Sequence, residues 1–290
     1  MNHIFKDPMI SQKIGLKGLG SNLTGHQVFG YLNLPGFGEE QSWTLAEWSS
    51  RHLMKDGYSV EPYGEGGYRF FNEGKNVIWF PGKNEIRLEP LTSHEYERTR
   101  KGGEGWIHLL LEQKVEEADR VRLADMKHLY VTLEYSVDYC EMKMPVEEYD
   151  TNCHAAQVSW YFTLENCIDP SRDFEGRPDY LWFGLPMFDN RSDSRGEGTF
   201  FDWGTQKLIF GMDKSTYIDG PFEVGKSYRF SFDVLPVMRH AYDVGRAGGV
   251  LVNTNWEDLA IGSTNIGWEV PGTFDCSLTL KDLDVTYELK

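Results

Sequence analysis

The sequence predicts an all-β protein, a two-sheet antiparallel β-sandwich with an irregular N-terminal arm and one short helix. Most of the 290 residues fall into short segments that alternate apolar and polar side chains, the period of a strand with one buried face. Turn signals separate several of them: Glu65-Gly66-Gly67, Pro81-Gly82, Asp219-Gly220-Pro221 and Pro271-Gly272. No Pro-rich or Ser/Gly-rich linker divides the chain and no internal repeat is visible. Residues 1–290 therefore read as one domain, with residues 1–75 as arm and helix packed on a sandwich core of residues 76–290.

The elements follow in order. Residues 1–40 are Gly-rich and weakly periodic; GLKGLGSNLTG lacks the G-x-G-x-x-G spacing and follows no strand, so it reads as an arm and not a phosphate loop. Asn22-Leu23-Thr24 matches a glycosylation sequon by pattern only. TLAEWSSRHLMK (44–55) is the helix candidate: Thr44 and Glu47 form a capping box, and Leu45, Trp48 and His52 share a face. The expected strands are YRFFNE, NVIWF, NEIRLEP, GWIHLLLEQ, HLYVTLEYSVDY, QVSWYFTLEN, DYLWFGLPMFD, QKLIFGM, SYRFSFDVLPV, GGVLVNT and SLTLKDLDVTYEL.

Their faces sort them into two sheets. HLYVTLEYSVDY sets Val131, Leu133, Tyr135 and Val137 against Thr132, Glu134, Ser136 and Asp138. The last strand sets Leu278, Leu280, Leu283 and Val285 against polar neighbours, with a slip near Asp282 that predicts a bulge. SYRFSFDV alternates likewise. These strands suit a sheet with one face in the core and one in water. GWIHLLLEQ, QVSWYFTLEN, DYLWFGLPMFD and QKLIFGM instead carry apolar groups on both faces with polar groups interspersed, as a sheltered ligand surface requires.

Composition excludes several functions. The formal charge of −16 repels nucleic acid and anionic membranes, and disfavours a polyanionic substrate. No apolar run approaches the roughly 20 residues that span a bilayer. MNHIFKDPMI is not a signal peptide; a cytoplasmic location is expected if Met1 is the native start, and a secreted or periplasmic one if a signal peptide has been removed. Cys140, Cys153, Cys167 and Cys276 form no CxxC pair and no zinc spacing. Four buried thiols are expected, with a Cys140–Cys153 bridge as the alternative for a secreted chain. The acid-rich stretch DPSRDFEGRPD (169–179) suggests a structural Ca²⁺ or a solvated loop, without EF-hand spacing. No cofactor is required, other metal binding is left open, and the sequence does not address oligomeric state.

The sheet asymmetry, the KSYRFSFDVLP strand and the closing SLTLKDLDVTYEL strand make residues 75–290 resemble the concanavalin A-like lectin and glucanase superfamily of jelly rolls. The resemblance implies a concave sheet that binds glycans, in members that are lectins, glycoside hydrolases or polysaccharide lyases. Glucanase members carry E-x-D-x-E or E-x-D-x-x-E on one strand, and this chain has no such run. Glu134 and Asp138 come nearest, but their alternation puts them on the solvated face. The Q-[IV]-H motif of alginate-lyase-like members is broken at Gln157-Val158-Ser159.

Glycoside hydrolysis needs two carboxyl groups across the scissile bond. Three acids on the expected concave sheet are candidates. Glu112 shares a face with His108 and Leu110, apolar company that suits a general acid; a strand-end Glu paired with Lys or Arg is the structural alternative. Asp189 ends its strand two residues before Arg191, at a cleft rim or in an Asx-turn. Asp202 lies between Phe201 and Trp203, facing a sugar or marking a hairpin tip at Gly204. Tyr161, Trp182 and Trp203 are the stacking candidates, and His108, His154, Gln157 and Arg191 the hydroxyl partners. The expected function is a glycoside hydrolase acting on an oligo- or polysaccharide. A lectin-like binding protein is the alternative, and a lyase using His or Tyr with an Arg191/Arg195 cluster is third.

Overall fold

The computed structural model describes residues 1–18, 27–34, 40–168, 179–192 and 196–290. The strands are β1 (Asn2–His3), β2 (Lys13–Lys17), β3 (Gly30–Leu32), β4 (Gln41–Ala46), β5 (Ser59–Tyr63), β6 (Gly67–Phe71), β7 (Lys75–Phe80) and β8 (Glu85–Pro90). After a single helical turn, α1 (Thr92–Glu95), come β9 (Ile107–Lys114), β10 (Met126–Met142), β11 (Gln157–Asn166) and β12 (Tyr180–Asp189). They are followed by β13 (Gly198–Asp202), β14 (Lys207–Gly211), β15 (Ser227–Asp233), helix α2 (Leu235–Ala247), β16 (Leu259–Val270) and β17 (Phe274–Leu289).

Among the described residues, one sheet has the order β15-β10-β17-β8-β7-β6-β5, with β1 also on β17. The other has nine strands, β13-β14-β12-β11-β16-β9-β4-β2-β3. The strands pair antiparallel throughout, except β12 with β14 and β2 with β4. This is the jelly-roll sandwich that the alternating strands predict.

One core lies between the sheets. Val131, Leu133, Tyr135 and Val137 of β10 and Leu278, Leu280, Leu283 and Val285 of β17 are buried, as their alternation requires. Opposite them lie Val158, Trp160, Phe162 and Leu164 of β11 and Leu181, Phe183, Leu185 and Met187 of β12, also buried. Each such side chain contributes about 1.5–3 kcal/mol by leaving water. The slip near Asp282 is real: its φ is 51°, and the β10–β17 register jumps between Thr132 and Glu134.

Several elements differ from expectation. Residues 44–55 are not a helix: Gln41–Ala46 is strand β4, followed by a 3-10 turn at Met54–Asp56. Leu45 and Trp43 point into the core, and Thr44, Leu45 and Ala46 pair with Glu112, Leu111 and Leu110. Sheet pairing overrides the local helical pattern. Glu47, expected to cap that helix, is buried, accepts from the Met54 N–H and pairs with Lys75 Nζ at 3.1 Å. The expected arm likewise contributes strands β1 to β6 to both sheets.

The true long helix is α2. Pro236 sits in its first turn, and the Leu235 N–H donates to Asp233 Oδ1, so SYRFSFD ends as strand and LPVMRHAYDVGRA turns helical. Met238, Ala241, Tyr242 and Gly245 face the sandwich. GGVLVNT is a turn, not a strand: Leu251 has a φ of 56°, and Arg246 donates to the Leu251, Val252 and Thr254 carbonyls. The longest strand that the sequence analysis does not expect is β16, central in the nine-stranded sheet. No helix among the described residues is long and apolar enough to cross a membrane.

Candidate active site

The outer face of the nine-stranded sheet is built by register. With Val158, Trp160, Phe162 and Leu164 committed to the core, alternation sends Gln157, Ser159, Tyr161, Thr163 and Glu165 outward. Pairing then aligns the neighbours. Gln157 sits between Asp189 of β12 and Glu269 of β16, and Glu269 sits opposite His108 of β9. A bulge at Met187, between the Phe188 and Pro186 pairings, brings Phe188 into the core against Trp268 and leaves Asp189 outward.

This row is tied together by side chains. Gln157 Nε2 donates to Glu269 Oε2 at 2.7 Å, and Gln157 Oε1 accepts from Arg191 Nη2 at 3.2 Å. Arg191 also donates to both Asp189 oxygens, from Nε at 2.9 Å and Nη2 at 2.7 Å. Its N–H closes the Asx-turn at 2.9 Å. Asp189 is thus ion-paired and its side chain is 4% exposed. His108 Nδ1 lies 2.8 Å from the Trp106 carbonyl, which only accepts. Nδ1 therefore carries the proton and Nε2 is the basic nitrogen of the neutral ring. Glu269 has a side-chain amide for a partner and no ion pair among the described residues.

Two rows further along, past Ser159, the outward row is aromatic and glycine-rich. Gly198, Gly211 and Gly184 align across three strands and continue into Tyr161, Asn265, Glu112 and Thr44. The missing side chains make room for rings lying on the sheet. Tyr161 Cε1 is 2.5 Å from where a Gly184 Cβ would stand, and the Phe200 ring covers Gly198 and Gly211 at 3.4 and 3.6 Å. Trp182 meets Tyr161 and Tyr180 edge-to-face, with centroids 6.0 and 5.6 Å apart. Its Nε1 donates to Thr205 Oγ1. Asn265 Oδ1, in the middle of this row, is buried with no hydrogen-bond partner among the described residues.

Glu112 takes the structural alternative: Lys17 Nζ pairs with its Oε2, and both side chains are nearly buried. It does not meet Asp189 or Asp202. Three strand spacings and four residues separate Glu112 from Asp189, about 20 Å of backbone. Asp202, five strands from Glu112, accepts from the N–H groups of Gly204 and Thr205 and from the Thr205 hydroxyl. It holds the β13–β14 turn. Trp203 is 78% exposed at that tip, against Phe201. His154 is buried and structural: Nδ1 accepts from the Asp150 N–H, and Nε2 faces the Arg100 carbonyl at 2.7 Å.

Glu269, Asn265 and Lys17 are not picked out by sequence pattern. GSTNIGWE is weakly apolar and carries two glycines, one of them Gly267 at φ 146°, where the Leu109 carbonyl oxygen is 2.3 Å from the place a Cβ would take. Only the Ile261, Ile266, Trp268 and Val270 pattern marks it as strand. Arg195, residues 169–178 of the calcium stretch and the Asn22 sequon lie outside the described residues. Among the described residues no group of three His, Cys, Asp or Glu side chains could hold a metal.

No family model and no curated protein matches this sequence. Solved structures do resemble it in backbone. A family 12 xyloglucanase from Bacillus licheniformis is 10% identical, with a TM-score of 0.44 over 80% of this chain and 100% of that one. An endoglucanase from Rhodothermus marinus is 8% identical, with a TM-score of 0.42 over 80% of this chain and 97% of that one. A family 11 xylanase from Neocallimastix patriciarum is 9% identical, with a TM-score of 0.42 over 87% and 98%. Similarity at this level carries nothing about chemistry, which rests on the side chains of this chain.

Proposed function

We propose that the protein binds a neutral glycan across the outer face of the nine-stranded sheet and hydrolyses it with Glu269 and Asp189. The row Asp189–Gln157–Glu269–His108 carries this reading. Two strand spacings, about 10 Å of backbone, separate the two acids, which suits the wider carboxyl gap of an inverting reaction. Glu269, with an amide partner, serves as the general acid to the leaving oxygen. Asp189, ionised beside Arg191, orients the attacking water. Tyr161, Trp182 and Phe200 supply ring faces for sugar C–H surfaces. This acid/base chemistry needs no cofactor.

A binding-only function is the second reading. The observation favouring it is that both Asp189 oxygens are taken by Arg191 and little of that side chain reaches solvent. A lyase has less support, because Arg191 is committed to Asp189 and a net charge of −16 opposes a polyanion.

Reducing-end release from neutral polysaccharides, β-glucans and xylans among them, tests the proposal alongside affinity electrophoresis on the same panel. Turnover that disappears in Glu269→Gln while binding persists supports hydrolysis. Binding without turnover in the unaltered protein leaves the second reading. Neither binding nor turnover overturns both.

A further inference from the structure

The expected alternative bridge, Cys140 to Cys153, is not the pairing that the fold prepares. Cys153 lies against Arg100, with Nη1 3.4 Å from its sulfur. Cys140 instead faces Cys276, directly opposite on the central antiparallel pair β10–β17. Their sulfurs are 3.6 Å apart, and both are free thiols.

The register makes this a closeable site. Lys143 N–H donates to the Thr273 carbonyl at 2.9 Å, which marks that pair as hydrogen-bonded. Counting back along the alternation, Glu141–Asp275 is also hydrogen-bonded and Cys140–Cys276 is not. Cα atoms of a non-hydrogen-bonded pair stand about 4.5 Å apart and their side chains converge. That lies within the roughly 4.4–6.8 Å that disulfides span, so closure requires side-chain rotation and little backbone movement.

Access is asymmetric. Cys276 is fully buried in the core, while Cys140 is partly exposed near the end of β10. Burial and the neighbouring thiol push the Cys276 pKa well up, so it is a poor first nucleophile.

We infer that Cys140 and Cys276 are a modification site, a dithiol that a small-molecule disulfide converts to a cross-strand disulfide. The Cys140 thiolate attacks one sulfur of the oxidant, forming a mixed disulfide and releasing one thiol. Cys276 then attacks the Cys140 sulfur, and its proton leaves with the second thiol. Two cysteine thiols are oxidised and one external disulfide is reduced to two thiols. The product ties residues 136 positions apart, in the strands that hold the eight-stranded sheet together.

The test is incubation of the folded protein with oxidised glutathione at mildly alkaline pH, followed by denaturation, alkylation and peptide mapping. Two of the four cysteines escape alkylation, the Cys140 and Cys276 peptides run as one linked species, and dithiothreitol separates them. In Cys276→Ser, Cys140 stops at the glutathione mixed disulfide. The oxidised unaltered protein melts several degrees higher than the reduced one, a shift absent from Cys140→Ser. Four alkylated cysteines, a bridge through Cys153 or Cys167, or a stable mixed disulfide in the unaltered protein overturns the proposal.

Discussion

Gln157 and Glu269 face each other on adjacent strands, with the Gln157 amide nitrogen 2.7 Å from a Glu269 carboxylate oxygen. The other end of the same amide accepts from Arg191, which grips Asp189. One neutral side chain therefore links an acid without an ion pair among the described residues to an acid with one. The two carboxylates differ in electrostatic company although they share a row, which is what separate acid and base roles need.

Glu269→Gln is expected to reduce kcat by about 100-fold or more, the usual scale of a lost general acid. KM and glycan affinity should change little, since the Gln amide still fills the space. Steady-state kinetics on the best polysaccharide substrate checks this; an unchanged kcat removes Glu269 from the mechanism.

Gly184→Ala is expected to cost about 1–3 kcal/mol and to weaken glycan binding. The new methyl falls 2.5 Å from Tyr161 Cε1, so the ring must leave its seat on the sheet. Urea denaturation and affinity electrophoresis read the two effects. Unaltered binding by a destabilised variant would show that Tyr161 packs without touching the ligand.

Asn265→Leu is expected to leave stability unchanged or raise it, because Oδ1 is buried with no partner among the described residues. Glycan affinity should change little, because that oxygen lies out of a ligand's reach. Urea denaturation of unaltered and variant protein checks this; a lowered midpoint would show that the Asn265 side chain contributes to stability.

Lys75→Met is expected to destabilise by about 3–5 kcal/mol at neutral pH, because it strands Glu47 and Glu95 in the interior. Burial, opposed by Lys75, holds the Glu47 pKa above its ordinary value. A folded-state pKa above the unfolded one means that the folded chain keeps its proton longer. Each step of pH above the unfolded value then favours unfolding. Removing Lys75 widens that window. The deficit of the variant should be smallest near the ordinary glutamate pKa of about 4.3 and grow towards neutrality. Denaturant titrations across this range check the sign; a deficit that shrinks with rising pH contradicts it.

Side-chain alternation determined the fold class and the sidedness of each long strand. The faces of β10, β11 and β17 read directly from a period of two, and so did the bulge at Asp282. Helix α2 is not read from the sequence: SYRFSFDVLPV reads as strand through Pro236, although Met238, Ala241, Tyr242 and Gly245 recur at helical spacing. What alternation cannot determine is register, because pairing joins residues far apart in the chain. Glu112 was correctly placed on the outer face, yet its partner is Lys17, on a strand hidden in a Gly-rich stretch. Asp189 does end its strand, beside Arg191, yet it is linked to Glu269 across Gln157 only because β16 inserts between β11 and β9. The Thr44–Glu47 capping box obeys local chemistry and still fails, since β9 and Lys75 offer those residues stronger partners. Composition and period decided which side chains face outward; the non-local pairing of the sheet decided which of them meet.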